Sequence, residues 1–256
     1  MNRDSFERLI GSEPALAPHV DFLRGLLKPC VRITITPDAP TGTQSQFGGK
    51  PMVPANFAWP QHASGLYYFL GQINFAEMVE RPVSLPATGL LSLFYVDYDP
   101  ESDYDGELFW GNDGYVKAWY FEDVAALVQV TAPHGKTAKA KRIALAGEFD
   151  IPRHGELRED WPFDFETLDT LLADDGAWQG KLVPNALLAT DYLLGYPSYY
   201  SLGYDPTPGD SWIVLLTLHS HETFKWCWHD GDKLMVFIES ERLAARDFSN
   251  LKSDAG

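Results

Sequence analysis

Two halves of this chain carry the same succession of motifs. The first reads GGKP, then YFLGQINF, then GLLSLFYV; the second reads LGYP, then WIVLLTLHS, then DKLMVFIE. The spacings nearly match: Gly49 to Gln72 is 23 residues and Gly195 to Thr217 is 22, while Gln72 to Phe94 is 22 and Thr217 to Phe237 is 20. Repetition of order and spacing predicts a diverged internal duplication, with quasi-repeats over about 47–96 and 193–240. Neither half holds enough apolar strands to close a core alone. The two are therefore expected to pack around a pseudo-twofold axis as a single domain over residues 1–256.

The expected fold class is α+β. The alternating VRITIT at Val31 to Thr36 begins a series of strand-like segments rich in β-branched and aromatic residues. It continues at Tyr67 to Ile73, Leu90 to Val96, Tyr115 to Phe121, Arg142 to Ala146, Trp212 to Leu218 and Leu234 to Ile238. Apolar residues three and four apart predict short helices over Ser5 to Ile10 and Pro18 to Leu27, and again at Phe165, Leu168, Leu171 and Leu172. Asn74 followed by Glu77 predicts a capping box that opens FAEMVE. Regular strand–helix alternation and a glycine-rich first turn are both missing, which argues against a doubly wound nucleotide fold. The architecture expected is largely antiparallel sheets, with short flanking helices and an N-terminal helical segment.

Charge narrows the partners. Thirty-six acids against twenty bases give a net charge of −16, which repels phosphate backbones and anionic membranes and favours basic partners. No direct nucleic-acid binding is expected. The longest apolar run, WIVLLTL, is far short of a membrane span, and the N-terminus scatters charges among its apolar residues, unlike a secretory signal. Both points place the protein in the cytoplasm. Cys30 and Cys227 are too few for a disulfide framework and are expected to be reduced and buried. The basic run PHGKTAKAKR reads as a solvated loop between the halves. No G-x-S-x-G elbow, Walker loop, dinucleotide fingerprint or H-E-x-x-H occurs, so no catalytic residue and no cofactor are assigned.

Two stretches carry candidate chemistry. In DYDPESDYDGE every odd position is acidic: Asp97, Asp99, Glu101, Asp103, Asp105 and Glu107. One reading is a solvated hairpin loop between neighbouring strands. The other is a partner-binding surface, in which these carboxylates steer a basic partner while Tyr98, Tyr104, Phe109 and Trp110 anchor it. A calcium loop fits less well, since Glu101 stands where an aspartate belongs and Asn112 where a bidentate glutamate belongs. In HSHETFKWCWH, the residues His219, His221, Cys227 and His229 could meet across a hairpin as zinc ligands, but the spacing is not an established zinc pattern and imidazoles at a strand end are more often solvent-facing turn residues. No metal is assigned to them.

Five ordered motifs, FGGKPMVPANFAWP, FLGQINFAEM, LPATGLLSLFYV, LLGYP and LAARDFSN, closely resemble the YwqG-like family of uncharacterised bacterial proteins, over about Pro37 to Asn250. The resemblance implies an α+β fold with duplicated halves and no established catalysis. Some relatives are encoded beside secreted polymorphic toxins as their immunity proteins. The chain departs from the pattern at HSHETFKWCWHDGD, where relatives have an acidic turn and tryptophan-glycine-aspartate, and at its end, LKSDAG, where many continue into a further apolar strand. The expectation is a non-enzymatic immunity protein that covers the basic active-site cleft of a cognate toxin, plausibly a nuclease. The alternative is a small-molecule or metal-binding protein or enzyme with a pocket between the repeats.

Overall fold

Alternation along VRITIT produces the central strand. Val31 and Ile33 are buried while Thr34 is exposed, in a computed structural model that describes residues 1–98, 108–153, 161, 163–199 and 201–256, with Tyr98 in its backbone only. This strand is β1, Lys28–Ile35. The other strands expected from the sequence also form: β4 Gly65–Asn74, β5 Leu90–Tyr98, β6 Val116–Phe121, β8 Lys141–Asp150, β10 Trp212–His219 and β11 Lys233–Glu239. Short strands that apolar periodicity does not announce complete the set: β2 Gln46–Phe47, β3 Met52–Val53, β7 Val128–Gln129, β9 Asp191–Leu194 and β12 Lys252–Ala255. The last is a correction, because the polar LKSDAG terminus does add an edge strand, with Ser253 and Ala255 turned inward.

Ten strands form one sheet in the order β12-β11-β10-β9-β1-β8-β2-β4-β5-β6, and β3 pairs with β7 apart from it. Every ladder is antiparallel. Thr34 lies opposite Ala144 in the central β1–β8 pair. Outward from that pair, Leu193 of β9 lies opposite Leu216 of β10, and Phe47 of β2 lies opposite Gly71 of β4. The register then shifts between Val214 and Leu216 in β10, and between Phe69 and Gly71 in β4. Beyond β2 the chain turns through Gly48 and Gly49 at φ of 62° and 75°; at the end of β9 it turns through Leu194, the last residue of the strand, and Gly195 at 61° and 79°. Glycine is required at the second position of both turns. A Cβ on Gly49 would come within 2.7 Å of the Ala140 Cβ, and one on Gly195 within 2.6 Å of Asp150 Oδ2.

Among the described residues three apolar clusters hold this arrangement, the smallest built on Tyr192, Val214, Met235 and Phe237. Phe47, Tyr67, Leu70, Ile73, Phe75 and Phe94 belong to the sheet core, which also takes in Trp226 and Trp228. A second cluster joins α1 (Arg3–Ser12), α2 (Val20–Gly25) and α3 (Phe165–Leu172) to a π-helical turn at Ala177–Leu182, through Phe6, Leu16, Leu23, Leu171 and Trp178. Each fully buried Phe or Leu contributes about 1.5–3 kcal/mol. The expected capping box is half present. Asn74 Oδ1 accepts from Ala76 N at 3.1 Å and starts a single turn, Phe75–Glu77, but Glu77 Oε2 accepts from Ser45 N at 2.7 Å and so braces β2 instead. Cys30 is buried, whereas Cys227 is exposed, because it alternates with the inward-facing Trp226 and Trp228. Burial, aided by the Asp150 charge, pushes the Cys30 thiol up to about 12. Among the described residues no helix is long and apolar enough to cross a membrane.

Candidate functional site

Part of the acidic and aromatic surface is described. Asp99, Glu101, Asp103, Tyr104, Asp105 and Glu107 lie outside the described residues. Asp97 is exposed near the end of β5, opposite Leu66 of β4. Phe109 is 49% exposed and its ring lies 5.2 Å from that of Trp110. Trp110 is half-buried, its ring 5.6 Å from that of His229. The backbone beneath this aromatic ledge is tied to the C-terminal strand: Ser253 Oγ donates to Trp110 O, and Lys252 pairs with Asp113. The ledge therefore rests on β12, the strand that polar sequence had hidden.

The histidine-rich turn is held by a carboxylate. Asp191, buried in β9, accepts from His219 N through Oδ1 and meets His221 Nε2 through Oδ2, each at 2.7 Å. His229 Nδ1 lies 3.3 Å from Ser201 Oγ, and Cys227 faces outward. Asp191 thus holds the backbone of His219 and the ring of His221, His229 lies beside Ser201, and Cys227 is exposed. Among the described residues no group of three or more His, Cys, Asp or Glu side chains is placed to hold a metal ion. The turn itself is rigid, since His221 and Trp226 exchange both backbone hydrogen bonds at 3.1 Å. Its rings enter the core, where Phe224 stacks on Trp226 at 4.4 Å and Phe47 meets both edge-on.

A buried polar network fastens the other turn. Asp150 Oδ1 accepts from Arg153 Nη2 at 2.9 Å, and Oδ2 accepts from Tyr196 N at 2.9 Å. The Arg153 guanidinium lies over the Tyr192 ring at 4.3 Å and donates to Ala189 O. Lys233 Nζ donates to Ser198 Oγ at 2.6 Å, and burial lowers the lysine's pKa. Ser198 is fully buried, so this pair braces β11 and offers no nucleophile to a substrate.

A cleft of about 500 Å³ opens where the Gly49 turn meets the 223–226 turn. Tyr68, Phe69, Tyr95, Phe224 and Trp226 supply its apolar walls. Lys136, Lys139 and Lys225 supply its charge, together with Asp97. Lys136 and Lys139 belong to the basic run PHGKTAKAKR, whose composition reads as a solvated loop. Its position beside Gly49 comes from Gly49 N donating to Ala138 O at 2.8 Å, a contact that no local pattern announces. A second, smaller cleft of about 350 Å³ lies at the Gly195 turn, with Lys28, Pro29, Ile213 and Val214 among its walls.

The chain belongs to the family described as a domain of unknown function (DUF1963), whose model matches residues 45–253. The matched span runs from the residue before β2 into β12, so it includes both turns and the whole lining of the Gly49 cleft, while Lys28 and Pro29 of the smaller cleft lie outside it. No curated protein matches the chain.

Proposed function

We propose that this is a non-enzymatic immunity protein of the YwqG-like kind, acting in the cytoplasm by binding and blocking a secreted toxin, plausibly a nuclease. The observation that carries this reading is the pairing of a −16 net charge with an aromatic ledge, Phe109 on Trp110, exposed beside the acidic stretch. A nuclease holds its phosphodiester in a basic cleft. A row of carboxylates beside aromatic anchors offers such a cleft both its charge complement and its apolar contacts. The immunity role implied by the family resemblance points the same way. The reading is tested by replacing Asp97, Asp99, Asp103 and Asp105 with asparagine. Association with the toxin should slow and lose its salt dependence while the fold is retained. Unchanged association would reduce the stretch to a solvated loop.

The same reading treats the chain as a diverged duplication. Matching β9, β10, β11 and β12 to β2, β4, β5 and β6 pairs Leu193 with Phe47, Leu216 with Gly71 and Ser253 with Ala118. The two bulges and the two left-handed turns then coincide. A second functional reading, a small-molecule site between the halves, is favoured by the cleft at Gly49, which draws residues from both of them.

A further inference from the structure

We propose that the cleft at Gly49 binds a small anion carrying a planar ring body, the chemical class to which nucleoside monophosphates belong. This rests on the small-molecule reading and is independent of the toxin-binding one.

The charge is the first ground. Acids outnumber bases 36 to 20 in this chain, so a surface lysine has carboxylates in easy supply. Yet Lys136, Lys139 and Lys225 line one cleft, and none of them forms an ion pair with a described residue. Among the described lining residues Asp97 is the one carboxylate, so three positive charges stand there against one negative. Gathering cations against the sign of the whole molecule costs repulsion, which a bound anion relieves.

The walls select the rest of the ligand. Tyr68 lies between Tyr95 and His134, with ring centroids 5.9 Å and 4.7 Å away. His134 is fixed in turn, its Nε2 donating to Tyr67 O at 3.0 Å and its Nδ1 accepting from Lys136 N at 3.1 Å. Tyr68, Tyr95 and Trp226 thus present aromatic surface held in place from behind, beside the hydroxyls of Thr137 and Thr223. Burial keeps the Tyr95 phenol well above its ordinary range, so it stays neutral beside an anion. A volume of about 500 Å³ lies within the span typical of small-molecule sites.

The backbone bears the same mark. Lys225 ends its turn in the left-handed region, at φ 59° and ψ 31°, which disfavours any side chain. The turn is locked by the His221–Trp226 exchange and by Asp191, so the Lys225 position is set before a ligand arrives. The smaller cleft supplies a contrast. The register sets Gly195, Ile213 and Val214 of that cleft against Gly49, Tyr68 and Phe69 of this one. There the tyrosine is replaced by an aliphatic residue, and Lys28 already lies over the Tyr196 ring at 3.9 Å. An anion with a ring body should choose the Gly49 cleft.

The test is a fluorescence titration of the full chain with anilinonaphthalene sulfonate and, in parallel, with uncharged phenylnaphthylamine, which has the same rings without the sulfonate. The expected result is one saturable sulfonate site. The triple variant Lys136→Ala, Lys139→Ala, Lys225→Ala should weaken it about tenfold or more while leaving phenylnaphthylamine within about twofold. A control triple with equal charge loss elsewhere, Lys28→Ala, Lys181→Ala, Lys252→Ala, should leave both probes unchanged. Adenosine monophosphate should displace the sulfonate at concentrations where inorganic phosphate does not. The proposal is overturned if the sulfonate does not saturate, if both triples act alike, or if phosphate competes as well as the nucleotide. Because Asp97 also lines the cleft, toxin binding is read separately by a variant that replaces only Asp99, Asp103 and Asp105 with asparagine.

Discussion

Lys225 occupies a backbone region where glycine is at ease and lysine is not. Lys225→Gly is therefore expected to leave stability unchanged to within about 1 kcal/mol in urea denaturation, because relief of the left-handed strain offsets glycine's larger chain entropy. The same variant should weaken sulfonate binding, which separates the lysine's charge from its structural cost. Lys225→Val, β-branched at positive φ, should cost about 1–2 kcal/mol or more. Asp150 is the opposite case, a residue whose role is structural. It is fully buried and satisfies both Arg153 and the Tyr196 amide. Asp150→Ala should destabilise the fold by about 3–5 kcal/mol by stranding a buried guanidinium, and equilibrium unfolding will measure this. A loss below about 1 kcal/mol would show that the network is not what fastens the Gly195 turn.

Elements are tied together by the chain's own start. The N-terminal ammonium, just before α1, and Arg32 of β1 both reach Glu148 of β8. Burial raises the Glu148 pKa, but the hydrogen bonds from Arg32 and the ammonium outweigh it and hold the carboxyl below its usual range. A carboxyl lowered in the fold stabilises it above the ordinary glutamate pKa and loses that contribution as acid protonates it. Stability should therefore fall as pH drops below about 4.5, and Glu148→Gln should flatten that acid limb. Long strands such as β4 and β10 were legible because their apolar stretches run on for many residues. β2 and β9, of two and four residues, were not legible as strands, because their neighbours dictate their pairing. β12 hid because three of the four residues of KSDA are polar, and Lys252 and Ser253 take partners from the 109–114 turn. The capping box misled because Glu77 found a better partner, the Ser45 amide, brought to it by the β2–β4 ladder.

Across the whole molecule, the proposed readings rest on charge and on the convergence of distant residues. The net −16 was plain from the sequence, as were the glycines that turn after β2 and β9. The cleft was not, because Lys136 and Lys225 lie far apart in the chain and meet only when the sheet closes. We propose that the acidic stretch and its aromatic neighbours occupy another protein's basic cleft. The most direct measurement is capture from lysate of the native host grown under conditions that induce secretion, with the tagged chain as bait. Washes at low and at high salt, followed by mass spectrometry, identify what is retained. The account predicts one near-stoichiometric basic protein that survives the low-salt wash. It should be toxic when expressed alone and harmless when co-expressed with this chain. An empty capture from lysate shown to contain the neighbouring gene products would contradict it.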